Sequence, residues 1–104
     1  MPVRFLITTL KLGIDPQTYE QWVRDRDYPF VASLPNIVSY QVHRIRGDIA
    51  GAEGVGWMYL ERIEMRSLEQ HAADLATPAG QKIRDELYEF LDRRKNVAFA
   101  SDVV

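Results

Sequence analysis

From Val3 to Leu12 apolar residues fill both alternating sets of positions. Phe5 and Ile7 point one way, and Leu6 and Leu10 point the other. A strand that is apolar on both faces must be covered on both. After Gly13 the period lengthens. Tyr19, Trp22, Val23, Phe30, Val31 and Leu34 recur at the three- and four-residue spacings of one buried helical stripe. Asp15 and Pro16 supply an N-cap and a proline at the first helical position. Pro29 has no N–H to donate, so it should kink or restart this helix, and Leu34, Pro35 and Asn36 end it. Residues 37–45 then read as a second strand, 47–54 as a long glycine-rich hairpin loop, and 55–63 as a third strand. In that third strand Trp57, Tyr59 and Glu61 share one face, and Met58 and Leu60 share the other. Ser67 and Gln70 form a capping-box pattern that opens a short helix. Thr77 and Pro78 cap a longer one, whose buried stripe is Ile83, Leu87, Phe90 and Leu91. Residues 97–101 form the closing strand.

The order is β-α-β-β-α-β, an α+β, ferredoxin-like arrangement within one domain spanning residues 1–104. One sheet face lies under the two helices. The other face is also apolar, and the chain has no element left to cover it. A second copy is the simplest cover, which predicts a homodimer with face-to-face antiparallel sheets, the dimeric α/β barrel.

Composition narrows the function classes. Hydrophobic residues make up 46% of the 104 and charged residues 27%, a globular balance that argues against a disordered adaptor. Net charge is -2 with both signs interspersed, so no nucleic-acid footprint is present. The basic run Arg93, Arg94 and Lys95 falls near a helix end, where cations favour the dipole. There is no cysteine, which excludes disulfides, thiol catalysis and cysteine–zinc sites. No apolar stretch is long enough to span a bilayer, and no signal-peptide pattern precedes the first strand, so a cytoplasmic protein is expected.

Asp27 stands out because it falls on the buried stripe, four residues after Val23 and three before Phe30. A carboxylate facing a core is costly unless it is paired or protonated. It is either a general acid or base in a cavity between helix and sheet, or the cap of a segment restarted at Pro29. Trp22, Tyr28, Phe30, Tyr40, Trp57 and Tyr59 sit on elements around one interior, and such a cluster suits either a core or the walls of a pocket for a planar ligand. His43 shares strand parity with Ser39 and Gln41 and is a candidate for proton transfer. Tyr40 points to the face opposite His43, so one of the two looks toward the helices. Glu61, on the Trp57 and Tyr59 face, is either a second acid in the cavity or an ion-pair partner of Arg44 or Arg62. His71 lies beside Glu69 and Gln70 and is expected at the surface. Two histidines on different elements, without H-x-H or H-x-x-x-H spacing, offer no dedicated metal site. Gly47, Gly51, Gly54 and Gly56 match no phosphate-binding pattern.

The run from Tyr19 through Trp22 and Asp27 to Pro29, followed by Leu34 to Tyr40, resembles the RedY-like (HapK) family of prodigiosin-type pigment pathways. Its first helix is also similar to that of EthD-type proteins, but Asp27 stands where their histidine is expected, which argues against haem ligation. The resemblance implies a dimeric α/β barrel with a small-molecule pocket in each subunit and no metal or organic cofactor. It further implies secondary-metabolite biosynthesis on a flat pyrrole- or indole-type intermediate. On that basis Asp27 moves a proton during condensation, cyclisation or dehydration. Tyr40, Tyr59 or His43 orients the substrate, Trp22 and Trp57 stack on it, and Tyr28 and Glu61 help line its site. A cofactor-less monooxygenase and a non-catalytic carrier of a pigment precursor are the alternatives.

Overall fold

The computed structural model of the chain describes residues 1–46 and 58–104. The expected glycine-rich hairpin, and Trp57 with it, lie outside the described residues. Strand β1 (Val3–Thr8) is followed by helix α1 (Pro16–Trp22), a π-helical turn (Val23–Asp27) and helix α2 (Tyr28–Ala32). Strands β2 (Ile37–Arg44) and β3 (Tyr59–Met65) come next. Helices α3 (Leu68–Ala76) and α4 (Pro78–Phe90), a 3-10 turn (Arg93–Lys95) and strand β4 (Val97–Ser101) complete the chain. The strands form one antiparallel sheet in the order β2-β3-β1-β4, the ferredoxin-like arrangement.

Local chemistry sets the boundaries. β1 stops at Thr8, short of the expected Leu12, although Leu10 still bridges Leu91. Gly13 then turns the chain at φ +86°, a conformation in which a Cβ would be strained. The Asp15 carboxylate accepts from Gln17 N–H at 3.0 Å, and Pro16 opens α1. Ser67 and Thr77 cap α3 and α4 in the same way, accepting from Gln70 N–H at 3.1 Å and Gly80 N–H at 3.0 Å.

The predicted disruption at Pro29 takes the form of a π turn just before it. Tyr28 N–H donates to the Val23 carbonyl, five residues back, rather than four. The wider turn has a geometric consequence. In an α-helix, residues eight apart drift by about 80° around the axis. The extra residue per turn reduces that drift, so Tyr19, Val23 and Asp27 are all buried under one face.

Leu6, Tyr40, Glu61 and Ile63 lie on the sheet face beneath the helices, together with Tyr59. Leu10, Tyr19, Val23, Tyr59 and Leu91 form the buried core at one end of this layer, with Trp22, Leu87 and Phe90 packed against it. The opposite sheet face is polar where β2 and β3 meet, through Gln41 and Arg62, and apolar at β1 and β4. There Phe5 and Phe99 pack with ring centroids 5.4 Å apart. Among the described residues, no helix is long and apolar enough to cross a membrane.

Candidate active site

The π turn delivers Asp27 to the interior at the junction with α2. The residue is itself helical (φ -71°, ψ -53°) and its side chain caps no helix N–H. The capping alternative is therefore not what the structure shows. Instead, Asp27 Oδ2 lies 2.5 Å from the Tyr40 hydroxyl, which is also 2.9 Å from Glu61 Oε1. The phenol has a single proton, so it cannot donate to both carboxyls. Both contacts are hydrogen bonds when Tyr40 donates to one ionised carboxylate and accepts from the other in its protonated form. The geometry thus fits a pair in which one carboxyl is ionised and the other protonated.

The electrostatics agree. Asp27 is 7% exposed and Glu61 3%, so ionising either leaves a charge in a poorly solvated place. Burial pushes Asp27 up to about 6, an effect the Tyr40 hydrogen bond partly offsets. Burial pushes Glu61 up to about 7, reinforced by the negative charge of Asp27 and opposed by Tyr40 and Arg4. The pair therefore releases its protons in two steps near neutral pH. Burial beside these acids raises Tyr40 and Tyr19, so both phenols stay neutral. The buried Tyr19 hydroxyl has no hydrogen-bond partner among the described residues.

The three groups open onto a cavity of about 270 Å³ between the helices and the sheet. Its walls are largely apolar, with Trp22, Phe30, Leu34, Ile63 and Leu87 among them. The Trp22 indole N–H donates to Glu86 Oε1 at 3.1 Å, and Arg26 grips the same carboxylate through two hydrogen bonds of 2.9 and 2.7 Å. That link ties the ring to α4 at the cavity wall. A mostly apolar chamber with a few convergent polar groups is the usual form of a small-molecule site.

The sequence candidates divide in space. Asp27, Trp22, Tyr40 and Glu61 are brought to this one cavity. Glu61 pairs with neither Arg44 nor Arg62, because Arg44 bonds Glu20 and Arg62 lies near Glu64 on the other face. His43 does not reach the cavity. Strand parity turns it outward, where its exposed ring meets Gln41 Oε1 at 3.2 Å. Tyr59 shares the inner face, but its hydroxyl donates to Glu20 Oε2 at 2.7 Å and its ring is locked edge-on to Tyr19 in the core. Tyr28 also lies outside the cavity walls. Its hydroxyl accepts from Val42 N–H at 3.0 Å and donates to the Val42 carbonyl at 3.5 Å, while its ring stands edge-on to Tyr40.

Two cavity residues were not singled out for it from the sequence. His71, expected at the surface, is buried against the cavity, and neither ring nitrogen has a partner among the described residues. Arg4, an inward-facing cation in an apolar strand, lines the same space. Among the described residues no three His, Cys, Asp or Glu side chains gather as a metal site requires.

Known structures share this architecture. HapK from Hahella chejuensis matches with a TM-score of 0.78 at 20% identity, over 99% of this chain and 93% of that one. The hydroxynitrile lyase from Passiflora edulis matches with a TM-score of 0.79 at 12% identity, again over 99% and 93%. SnoaB, a cofactor-independent oxygenase from Streptomyces nogalater, matches with a TM-score of 0.74 at 18% identity over the same shares. At these identities the likeness is one of fold. No curated protein matches the chain in sequence. The family model described as REDY-like protein HapK, however, matches residues 2–103, nearly the whole chain. By that match, the chain belongs to the HapK family of REDY-like proteins.

Proposed function

We propose that this protein is a biosynthetic enzyme of secondary metabolism that works by side-chain acid–base chemistry on a flat pyrrole- or indole-type intermediate of a prodigiosin-type pathway. One observation carries the reading: the buried Asp27 and Glu61 carboxyls both lie within hydrogen-bond distance of the Tyr40 hydroxyl at the wall of an apolar cavity. Such a pair holds both an acid and a base near neutral pH. Asp27, the more easily ionised member, takes a proton from the bound substrate. Glu61 returns one through Tyr40, whose hydroxyl can both accept and donate. The net result is proton relocation, which serves a condensation, cyclisation or dehydration. Trp22 supplies a ring face for the planar substrate. Membership of the HapK family supports the biosynthetic setting, and the cofactor-independent oxygenase on the same fold supports a chamber that works with its own side chains.

The test is metabolite profiling by mass spectrometry in a pyrrole-pigment producer that lacks its own homologue. Replacing Asp27 with Asn keeps the shape and removes the base, so turnover should fall at least ~100-fold. The strain carrying Asp27→Asn should then accumulate an intermediate that wild type consumes. Identical profiles refute the role given to Asp27. Strict dependence on molecular oxygen points instead to an oxygenase, and stoichiometric binding without turnover points to a carrier.

The same proposal makes the protein a cytoplasmic homodimer in which the Phe5 and Phe99 face of one sheet packs on that of a second copy. Sedimentation equilibrium should give twice the 12.0 kDa chain mass. A monomer at micromolar concentration overturns this.

A further inference from the structure

We propose that Arg4 and His71 form an anion subsite in the Asp27 cavity, and that the ligand is an aromatic carboxylic acid whose carboxylate binds there. The inference rests on the reading of this cavity as the ligand site.

Arg4 projects from β1 onto the inner sheet face, in register between Ile63 of β3 and Ala100 of β4. It is half-buried, and among the described residues it makes no hydrogen bond or ion pair. Other arginines do better with less need. Arg26, Arg44 and Arg94 are more exposed, yet each is paired with a carboxylate. A guanidinium partly withdrawn from water carries five donors and favours a bidentate oxyanion.

His71 reaches the same cavity from α3. It is 8% exposed, with both ring nitrogens unpartnered among the described residues. Burial and the charge of Arg4 hold its imidazole below the usual range, against an opposing pull from Asp74. The ring is therefore neutral at physiological pH and brings one N–H donor to the wall of the cavity that Arg4 also lines. A fixed cation and a neutral donor in the walls of one cavity suit a carboxylate.

Neither cavity acid pairs with Arg4 directly, although the Arg4 charge reaches Glu61 through space. Asp27 and Glu61 are engaged with Tyr40, and Arg4 forms no ion pair with either among the described residues. The chamber is therefore differentiated: a proton-holding carboxyl pair, a cationic corner, and apolar walls that include Trp22 and Phe30. Exposed Arg84 adds a further positive charge among the lining residues. A ligand acid seated on Arg4 orients its ring body without using the groups that move protons.

The test compares indole-3-propionate with its uncharged amide by isothermal titration on the full chain. Wild type should bind the acid at least ~10-fold more tightly than the amide. Arg4→Gln should erase this preference while leaving amide affinity unchanged, and Arg4→Lys should keep part of it. His71→Leu should weaken the acid alone. Equal affinity of wild type for acid and amide, or a preference that survives Arg4→Gln, overturns the subsite and leaves the aromatic cavity standing. Failure of both probes to bind overturns the subsite and the ligand-cavity reading together.

Discussion

Replacing Glu61 with Gln removes one ionisable member of the buried pair and keeps its shape. The amide can still donate to the Tyr40 oxygen, as protonated Glu61 does. In the native state Glu61 is pushed up to about 7, from an ordinary value of 4.5. Its folded pKa is raised, so between those values the folded protein holds a proton that the unfolded chain has released. Stability from this group is therefore full below about pH 4.5 and is lost as pH rises through the native pKa. The shift corresponds to about 3 kcal/mol of destabilisation of wild type at about pH 8. Asp27 acts with the same sign over a window ending near 6. His71 acts with the opposite sign, because its native pKa is lowered and the unfolded chain binds the extra proton. Subtracting the two proteins removes His71 and most of Asp27. Urea unfolding followed by tryptophan fluorescence should give nearly equal stabilities at about pH 4.5 and a variant about 3 kcal/mol more stable at about pH 8. A difference that does not change with pH would refute the buried-pair account.

Tyr40→Phe removes the hydroxyl whose bonds lower both acids. The pH midpoint of activity should move upward and turnover should fall, with the chain still folded by circular dichroism; an unmoved midpoint counts against the relay. Gly80 sits where α3 meets α4, and a Cβ there would lie 2.3 Å from the Asp74 carbonyl oxygen and 2.8 Å from Leu75 backbone atoms. Gly80→Ala should cost about 1–3 kcal/mol in chemical denaturation, with the helices forced apart rather than the sheet disturbed. A wild-type midpoint would show that the two helices have slack at this crossing.

Much of this was legible in the chain because periodicity and capping are local. Asp15, Ser67 and Thr77 announce the helix starts they make, and the closing strand runs Val97–Ser101 as its composition indicates. Asp27 was conspicuous because a charge had taken an apolar position. Its partners were harder to read. Parity separates Tyr40 from His43, but it cannot say which set of side chains the helices cover, since that depends on tertiary packing. His71 was misplaced because polar neighbours suggest a solvated helix, whereas the face it shares with Leu75 turns inward toward the cavity. Arg4 gave no signal, because one cation in an apolar strand looks the same whether its head reaches solvent or a pocket. The junction at Pro29 was visible, but its π geometry was not: only the backbone shows that the Val23 carbonyl receives Tyr28 instead of Asp27.

The bond between Tyr28 and Val42 bears on how far the sheet can spread. β2 is a border strand, and backbone groups on a border can recruit a foreign strand and seed aggregates. At Val42 both groups are already taken, N–H and carbonyl alike, by a single phenol from the preceding helix. An incoming strand would have to evict that ring before it could hydrogen-bond there. Tyr28 therefore acts as a selvedge, finishing the fabric of the sheet on the side where it would otherwise fray into its neighbours.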